Sequence, residues 1–260
     1  GDVSTAAHEL GHAMHSYYSN KHQEYVYSSY PIFLAEIAST VNEVLLNDYL
    51  YKQAKTKEEK CYYLNELIDL IKSTVFRQTM FAEFESIMHE KYQNKETITE
   101  KDLSNTYYNL NKLYFGENVI SDNLIRYEWE RIPHFYTPFY VYKYATGLSS
   151  AVCIAYNIIN KKEGSLEKYL NFLKSGCSKY PLDILIDTGV DLISGYPIEE
   201  TLKIFGEKVN ELKELTKWGK MEYKELRKKF RILCKKEKRT CYNFIFLGSF
   251  LAILGFITAI

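Results

Sequence analysis

The sequence predicts a mainly α-helical fold. Glycine and proline are scarce, with 12 and 5 in 260 residues, so turns are few and long helices are favoured. Apolar residues recur at helical spacing along most of the chain, and no strand-like alternation persists beyond a few residues. Charged residues make up 25% and apolar residues 46%, which are ordinary globular values and exclude disordered and collagen-like classes.

The first two helices lie close to the N-terminus. We expect a helix over residues 3–19 with Ser4 as its cap. Residues 20–30 are polar and aromatic, and we expect a loop or a short strand there. Pro31 suits the first turn of a second helix that runs to about Lys55.

The spacing of a capping box, a hydroxyl residue followed by an acid three residues later, occurs at Thr56–Glu59 and at Thr99–Asp102. These boxes predict helices that end near Gln93 and Gly116. Later segments follow from turn residues and amphipathic spacing. We expect an irregular stretch over 117–137, then helices over 138–162, from a cap at Ser165 to Gly176, over 181–188, over 198–205 and over 206–238.

The last part of the chain combines a basic segment with an apolar one. Residues 227–239 carry eight Lys or Arg against one Glu, and residues 243–260 carry no charge. This pattern predicts a basic stem over 227–240 and a candidate transmembrane helix over 241–260, with the basic flank on the cytoplasmic side. A buried C-terminal helix or an aberrant extension remains the alternative. The stem lacks base-stacking aromatic residues, so nucleic acid is not an expected partner.

Five cysteines, an odd number without a CxxC pair, indicate reduced thiols in a reducing compartment. We expect a cytoplasmic protein, anchored to a membrane if the tail is a true anchor. The N-terminus shows no signal peptide and enters a motif almost at once, so we expect a fragment of a longer chain.

The strongest functional signal is the pentapeptide HELGH at residues 8–12. Positions four apart lie on one helix face, so His8 and His12 can converge on one zinc ion. Glu9 lies on the adjoining face, where it can reach a water molecule rather than the metal.

A catalytic zinc usually takes three protein ligands, and the third must lie elsewhere. The extended motif HExxHxxGxxH is excluded because His15 and Tyr18 occupy its last Gly and His positions. We interpret His15 as an outer-shell or core residue and His22 as a weak ligand candidate. The favoured ligand is Glu36, a carboxylate among apolar residues of the second helix, where a cation is its natural partner. Glu43 is either an outer-shell partner of a ligating histidine or a solvated residue.

Residues 8–46 closely resemble oligoendopeptidase F, in the thimet-oligopeptidase group of zinc metallopeptidases, and so do residues 132–151 (IPHFYTPFYVYKYATGLSSA). In general character the resemblance extends to about residue 225. It implies that His8, His12 and Glu36 bind zinc and that Glu9 is the general base.

The resemblance also implies that aromatic hydroxyls and a histidine of the second stretch face the substrate. The candidates are His134, Tyr136, Tyr140 and Tyr142, and His134 and Tyr142 are favoured as donors to the oxyanion. The alternative places these tyrosines in the core or in a groove wall. Gly147 is expected to permit close helix approach.

The resemblance implies a helical zincin of the gluzincin type, with residues 1–226 forming the C-terminal half of its catalytic domain. The implied reaction is zinc-dependent hydrolysis of internal bonds in short peptides. Family members carry a substantial region upstream of the zinc motif, which here is preceded by seven residues. Two alternatives therefore remain: a non-catalytic, membrane-tethered fragment that binds zinc, and a different gluzincin such as an aminopeptidase. The oligomeric state is left open.

Overall fold

The computed structural model describes residues 2–216. Every regular element in this part of the chain is helical, and no strand occurs there, which confirms the predicted fold class. Within residues 2–216 the nine α-helices are α1 (Asp2–His22), α2 (Ile32–Gln53), α3 (Lys57–Ile71), α4 (Arg77–Gln93), α5 (Glu100–Phe115), α6 (Tyr142–Ile159), α7 (Ser165–Lys174), α8 (Pro181–Asp187) and α9 (Tyr196–Thr216). A π-helical turn spans Lys72–Phe76, and 3-10 helices span Tyr25–Tyr27, Asn123–Arg131 and Pro133–Tyr136.

The chain divides into two compact units. Among the described residues, unit 1 consists of residues 2–82 and Pro138–Glu207, and unit 2 consists of Glu83–Thr137 and residues 208–216. Unit 1 therefore contains the HELGH motif and the whole of α2, α3, α6, α7 and α8. Unit 2 contains α5 and the 3-10 helices Asn123–Arg131 and Pro133–Tyr136.

Helix α2 is the central element of unit 1 and packs against α1, α3 and α6. Leu34, Ile37, Ala38 and Val41 are fully buried and recur at helical spacing, so their apolar surface faces these neighbours. Burying one such side chain contributes about 1.5–3 kcal/mol. This packing fixes α2 firmly enough to hold a polar residue on its α1-facing side.

The core of unit 2 is tied together by polar side chains. Glu128 is buried and accepts a hydrogen bond from the Tyr107 hydroxyl at 2.7 Å, while Arg131 donates to its other oxygen. The Trp129 indole nitrogen donates to Ser104 of α5 at 3.2 Å. A buried carboxylate is costly without such partners, so these bonds fix the Asn123–Arg131 segment against α5.

The two predicted capping boxes are confirmed. Thr56 accepts from the Glu59 amide while the Glu59 carboxylate accepts from the Thr56 amide. Thr99 and Asp102 make the same reciprocal pair at the start of α5. Each box satisfies two backbone N–H groups that the helix itself leaves unpaired.

Three boundaries differ from the sequence prediction. Helix α1 continues to His22, and the expected loop over residues 20–30 contains a 3-10 turn rather than a strand. The helix expected to run unbroken to Gln93 contains the π-helical turn Lys72–Phe76, which apolar spacing alone does not reveal. The predicted short helix 198–205 and the helix predicted to follow it are one continuous α9, because no proline interrupts the backbone hydrogen bonds between them.

Two small residues have roles other than those predicted. Ser165 is the first residue of α7, and Gly164, with φ of +71°, occupies the cap position without a side-chain bond. The predicted close helix approach at Gly147 is wrong: a Cβ added there meets no described heavy atom within 4 Å.

The basic stem 227–240 and the candidate transmembrane helix 241–260 lie outside the described residues. Between residues 2 and 216, no helix combines the length and the apolar character needed to cross a membrane. The three cysteines in this range, Cys61, Cys153 and Cys177, are free thiols.

His15 is a core residue of unit 1. Its side chain is 1% exposed, and its ring stacks on Tyr30 with centroids 3.6 Å apart and packs against Phe172. Its Nδ1 atom has no hydrogen-bond partner among the described residues. Burial, with a smaller contribution from the nearby His12, lowers the pKa of His15 to about 4. The imidazole is therefore neutral at pH 7.

This buried histidine predicts a pH-dependent stability. The unfolded state binds the proton with the ordinary pKa of 6.5, so stability is complete above that pH and is lost as the pH falls towards 4. Between pH 7 and pH 5 the parent should lose about 2 kcal/mol more free energy of unfolding than His15→Phe. Urea denaturation in EDTA measures this difference, and equal losses in both proteins would contradict it.

Candidate metal centre

Helix α1, which carries HELGH, and helix α2 cross with their backbones in close contact at Gly11 and Ser39. A Cβ built on Gly11 would lie 2.5 Å from Ser39 Cα and 2.7 Å from the Ala38 carbonyl oxygen. No side chain fits such a gap, so only glycine permits this approach. His8 and His12 flank Gly11 on α1, and Glu36 lies one turn before Ser39 on α2. The crossing therefore brings the three side chains together.

Three ligand atoms form a nearly equilateral triangle at this crossing. The His8 and His12 Nε2 atoms lie 3.2 Å apart. Glu36 Oε2 lies 3.3 Å from His8 Nε2 and 3.4 Å from His12 Nε2. Within residues 2–216 this is the one group of three or more His, Cys, Asp or Glu side chains whose donor atoms converge in this way.

The size of the triangle fits a tetrahedral zinc ion. Ligands about 2.0–2.1 Å from a tetrahedral centre are separated from one another by about 3.3–3.4 Å. The observed separations of 3.2–3.4 Å match that value. Two imidazoles and one carboxylate are also the donor set of a known class of catalytic zinc site, which keeps a fourth position for water.

Glu43 orients one of the histidines. The Nδ1 atom of His8 is hydrogen-bonded to Glu43 Oε1, and the Glu43 side chain is 19% exposed. Because Nδ1 donates its proton to the carboxylate, the lone pair of Nε2 is left for a metal. Nearby, the Asn42 amide donates to the Ala7 carbonyl at 3.1 Å and ties α2 to α1 beside His8. Glu43 is therefore hydrogen-bonded to His8 and mostly buried, and its outer-shell role stays a prediction.

The remaining polar residues of α1 lie outside the triangle. Glu9 is exposed on the adjoining face of the helix. His15 is buried among aromatic rings, and the His22 ring nitrogen is hydrogen-bonded to the Tyr18 carbonyl at 2.8 Å. Neither histidine belongs to the converging group.

The predicted aromatic candidates fall in different units. His134 and Tyr136 lie in the 3-10 helix Pro133–Tyr136 of unit 2, whereas Tyr140 and Tyr142 belong to unit 1. Tyr142 begins α6 and is 42% exposed. The proposed roles of His134 and Tyr142 stay predictions.

The sequence analysis missed Tyr144. Burial, a hydrogen bond with Tyr140 and the charges of Tyr140 and Glu36 raise the pKa of Tyr144 to about 12. Its hydroxyl is therefore protonated at pH 7 and lies within electrostatic reach of Glu36. The Tyr140 and Tyr144 rings pack edge to face with centroids 5.6 Å apart. Tyr140 precedes α6 and Tyr144 lies in its first turn, so the available signal was a cluster of tyrosines around a predicted helix start.

The short crossing predicts a severe effect of a small substitution. Gly11→Ala should destabilise the chain by about 1–3 kcal/mol, because the new methyl group meets backbone atoms that cannot move aside. It should also weaken zinc binding at least tenfold, since Glu36 is displaced from both imidazoles. Thermal unfolding and zinc competition with a chelator measure the two effects.

Gly147→Ala is the matched control, because it adds the same methyl group to a helix in open space. It should leave zinc affinity unchanged and cause no destabilisation. Equal thermal stability and equal zinc affinity of the two variants would show that the close contact at Gly11 is not needed for zinc binding.

The chain is similar in sequence and structure to several known peptidases. Oligopeptidase PepF of Bacillus subtilis (strain 168) is 48% identical over 214 residues, which are 82% of this chain and 32% of that protein. The oligoendopeptidase F homologue of Borreliella burgdorferi is 48% identical over 215 residues, 82% of this chain and 36% of that protein. The crystal structure of oligoendopeptidase-F from Enterococcus faecium matches with a TM-score of 0.75 and 42% identity, covering 83% of this chain and 39% of that one.

The chain thus spans about a third of the length of the curated relatives that it matches. The sequence profile of peptidase family M3 matches residues 1–204. This match covers well over half of the sequence and includes His8, His12 and Glu36, so the chain belongs to peptidase family M3.

Proposed function

We propose that this chain carries the catalytic metal centre of a zinc-dependent endopeptidase that cleaves internal bonds of short peptides. The observation that carries the proposal is the triangle of His8, His12 and Glu36, whose 3.2–3.4 Å sides suit one zinc ion. Family membership and the names of the relatives, oligopeptidase and oligoendopeptidase, support peptides as the substrate class.

Each residue has a defined part in the proposed reaction. A zinc ion in such a centre would act as a Lewis acid: it would lower the pKa of water to about 7 and polarise the scissile carbonyl. Glu9 accepts the proton of the attacking water and delivers it to the leaving amine. Glu43 holds the His8 ring in the tautomer that presents Nε2 to the metal.

Donors to the developing oxyanion come from the second aromatic segment. We propose His134 and Tyr142 for this role, and the position of Tyr144 near Glu36 makes its hydroxyl a third candidate donor. A neutral phenol stabilises negative charge by donating its proton in a hydrogen bond. Removing an effective donor of this kind costs about 10²–10³ in kcat, so Phe variants of the two tyrosines identify the donor.

The free thiols of Cys61, Cys153 and Cys177 support a reducing, cytoplasmic setting for this activity. The competing proposal is a chain that binds zinc without turnover. Zinc binding together with a failure to cleave any of a library of quenched fluorescent peptides would support that alternative.

The general base is tested by Glu9→Gln. The amide cannot accept the water proton, but it leaves the three ligands intact. Peptide hydrolysis should fall by about 10²–10⁴-fold, while the zinc content stays at one ion per chain. The measurements are metal analysis and a quenched-peptide assay on the same preparation.

Glu24→Gln is a matched control, because Glu24 is an exposed acid between α1 and α2 outside the converging group. It should keep both zinc and activity. Near-parental hydrolysis by zinc-loaded Glu9→Gln would rule out the general-base role.

A further inference from the structure

Ser39 lies directly behind the proposed metal ligand on α2. Its side chain is completely buried, and its Cα is the heavy atom nearest to a Cβ built on Gly11. Its hydroxyl oxygen lies 2.9 Å from the Glu36 carbonyl oxygen and 3.1 Å from Glu36 Oε2. The single hydroxyl proton is therefore shared between the backbone and the carboxylate of the same glutamate.

The carboxylate needs such a restraint. The Glu36 side chain is 53% exposed, so solvent leaves it free to sample several rotamers, and fixing a glutamate side chain costs conformational entropy. The Ser39 side chain has no such freedom, because it is fully buried on α2 where that helix contacts Gly11 of α1. A hydrogen bond from a rigid donor to a mobile acceptor selects the rotamer of the acceptor.

The bonded oxygen is also the one that faces the imidazoles. Oε2 accepts from Ser39 and lies 3.3–3.4 Å from the Nε2 atoms of His8 and His12. A carboxylate oxygen has two lone pairs, so one can accept the hydroxyl proton while the other is directed at a metal. The bond to Ser39 therefore does not compete with metal coordination.

We propose that Ser39 is a positioning residue that orients the Glu36 carboxylate for zinc binding. The inference rests on the proposed function, because it takes His8, His12 and Glu36 as the ligands. Outer-shell partners of metal ligands typically contribute tenfold to a hundredfold to metal affinity. Ser39 and Glu43 then support two different ligands from the same helix, one turn apart.

The test is zinc affinity of the full chain, measured by competition with a fluorescent chelator. Ser39→Ala should bind zinc about tenfold more weakly than the parent. Ser150→Ala is the matched control: Ser150 is equally buried in α6, and its hydroxyl bonds the Thr146 carbonyl at 2.8 Å. Both variants lose a buried hydroxyl that bonds a helix carbonyl, but Ser150→Ala should keep the parental affinity.

Ser39→Thr separates hydrogen bonding from packing. Threonine keeps the hydroxyl but adds a methyl group at a fully buried position, whereas alanine removes the hydroxyl without overfilling the site. A positioning role predicts that Ser39→Thr binds zinc more tightly than Ser39→Ala. A purely structural role predicts the reverse order in variants that keep the parental thermal stability, and that result would overturn the proposal.

A double-mutant cycle with Glu36→Ala completes the test. If Ser39 acts through Glu36, adding Ser39→Ala to Glu36→Ala should not weaken zinc binding further. A full tenfold additional loss would overturn the inference, and so would parental affinity in Ser39→Ala alone. Absence of zinc binding in the parent would instead overturn the proposed metal centre and this inference with it.

Discussion

The close crossing of α1 and α2 is the constraint on which the candidate site depends. Gly11 has no side chain at the point where the Ser39 backbone approaches, so two helices meet at a distance that no other residue permits. The histidines flank this point on one helix and the glutamate lies one turn away on the other. Their convergence follows from the geometry of the crossing.

The packing behind the crossing is apolar and well ordered. Helix α2 buries Leu34, Ile37 and Val41 against its neighbours, and at the crossing the Ala38 carbonyl also lies 3.5 Å from the Tyr169 hydroxyl of α7. A helix held on several sides can keep an exposed carboxylate in place without burying it. This arrangement leaves Glu36 accessible to a metal while its backbone stays fixed.

Polar residues around the site act mainly by orientation. Glu43 sets the tautomer of His8, and Ser39 bonds the carboxylate of Glu36. His15 is different, since it is three residues from His12 on the same helix yet lies in the core against Tyr30. One helix thus supplies both metal-facing and core-facing imidazoles, because its faces point to different surroundings.

The sequence by itself determined what depends on local chemistry. Capping boxes fixed the starts of α3 and α5, helical spacing fixed the fold class, and HELGH fixed a pair of imidazoles on one face of a helix. Glu36 stood out as a carboxylate among apolar residues, but the expected burial is wrong, because its side chain is 53% exposed. Each of these features is encoded within a few residues, so none of them depends on which distant segments of the chain meet.

Tertiary structure alone decided the rest. The sequence placed the close glycine contact at Gly147, but the contact occurs at Gly11, because such a gap depends on which two helices cross and at which residue. Apolar spacing could not reveal the π-helical turn Lys72–Phe76, decide between the two interpretations of Glu43, or place Tyr144 near Glu36. These features arise from the relative positions of packed helices, which a local pattern does not specify.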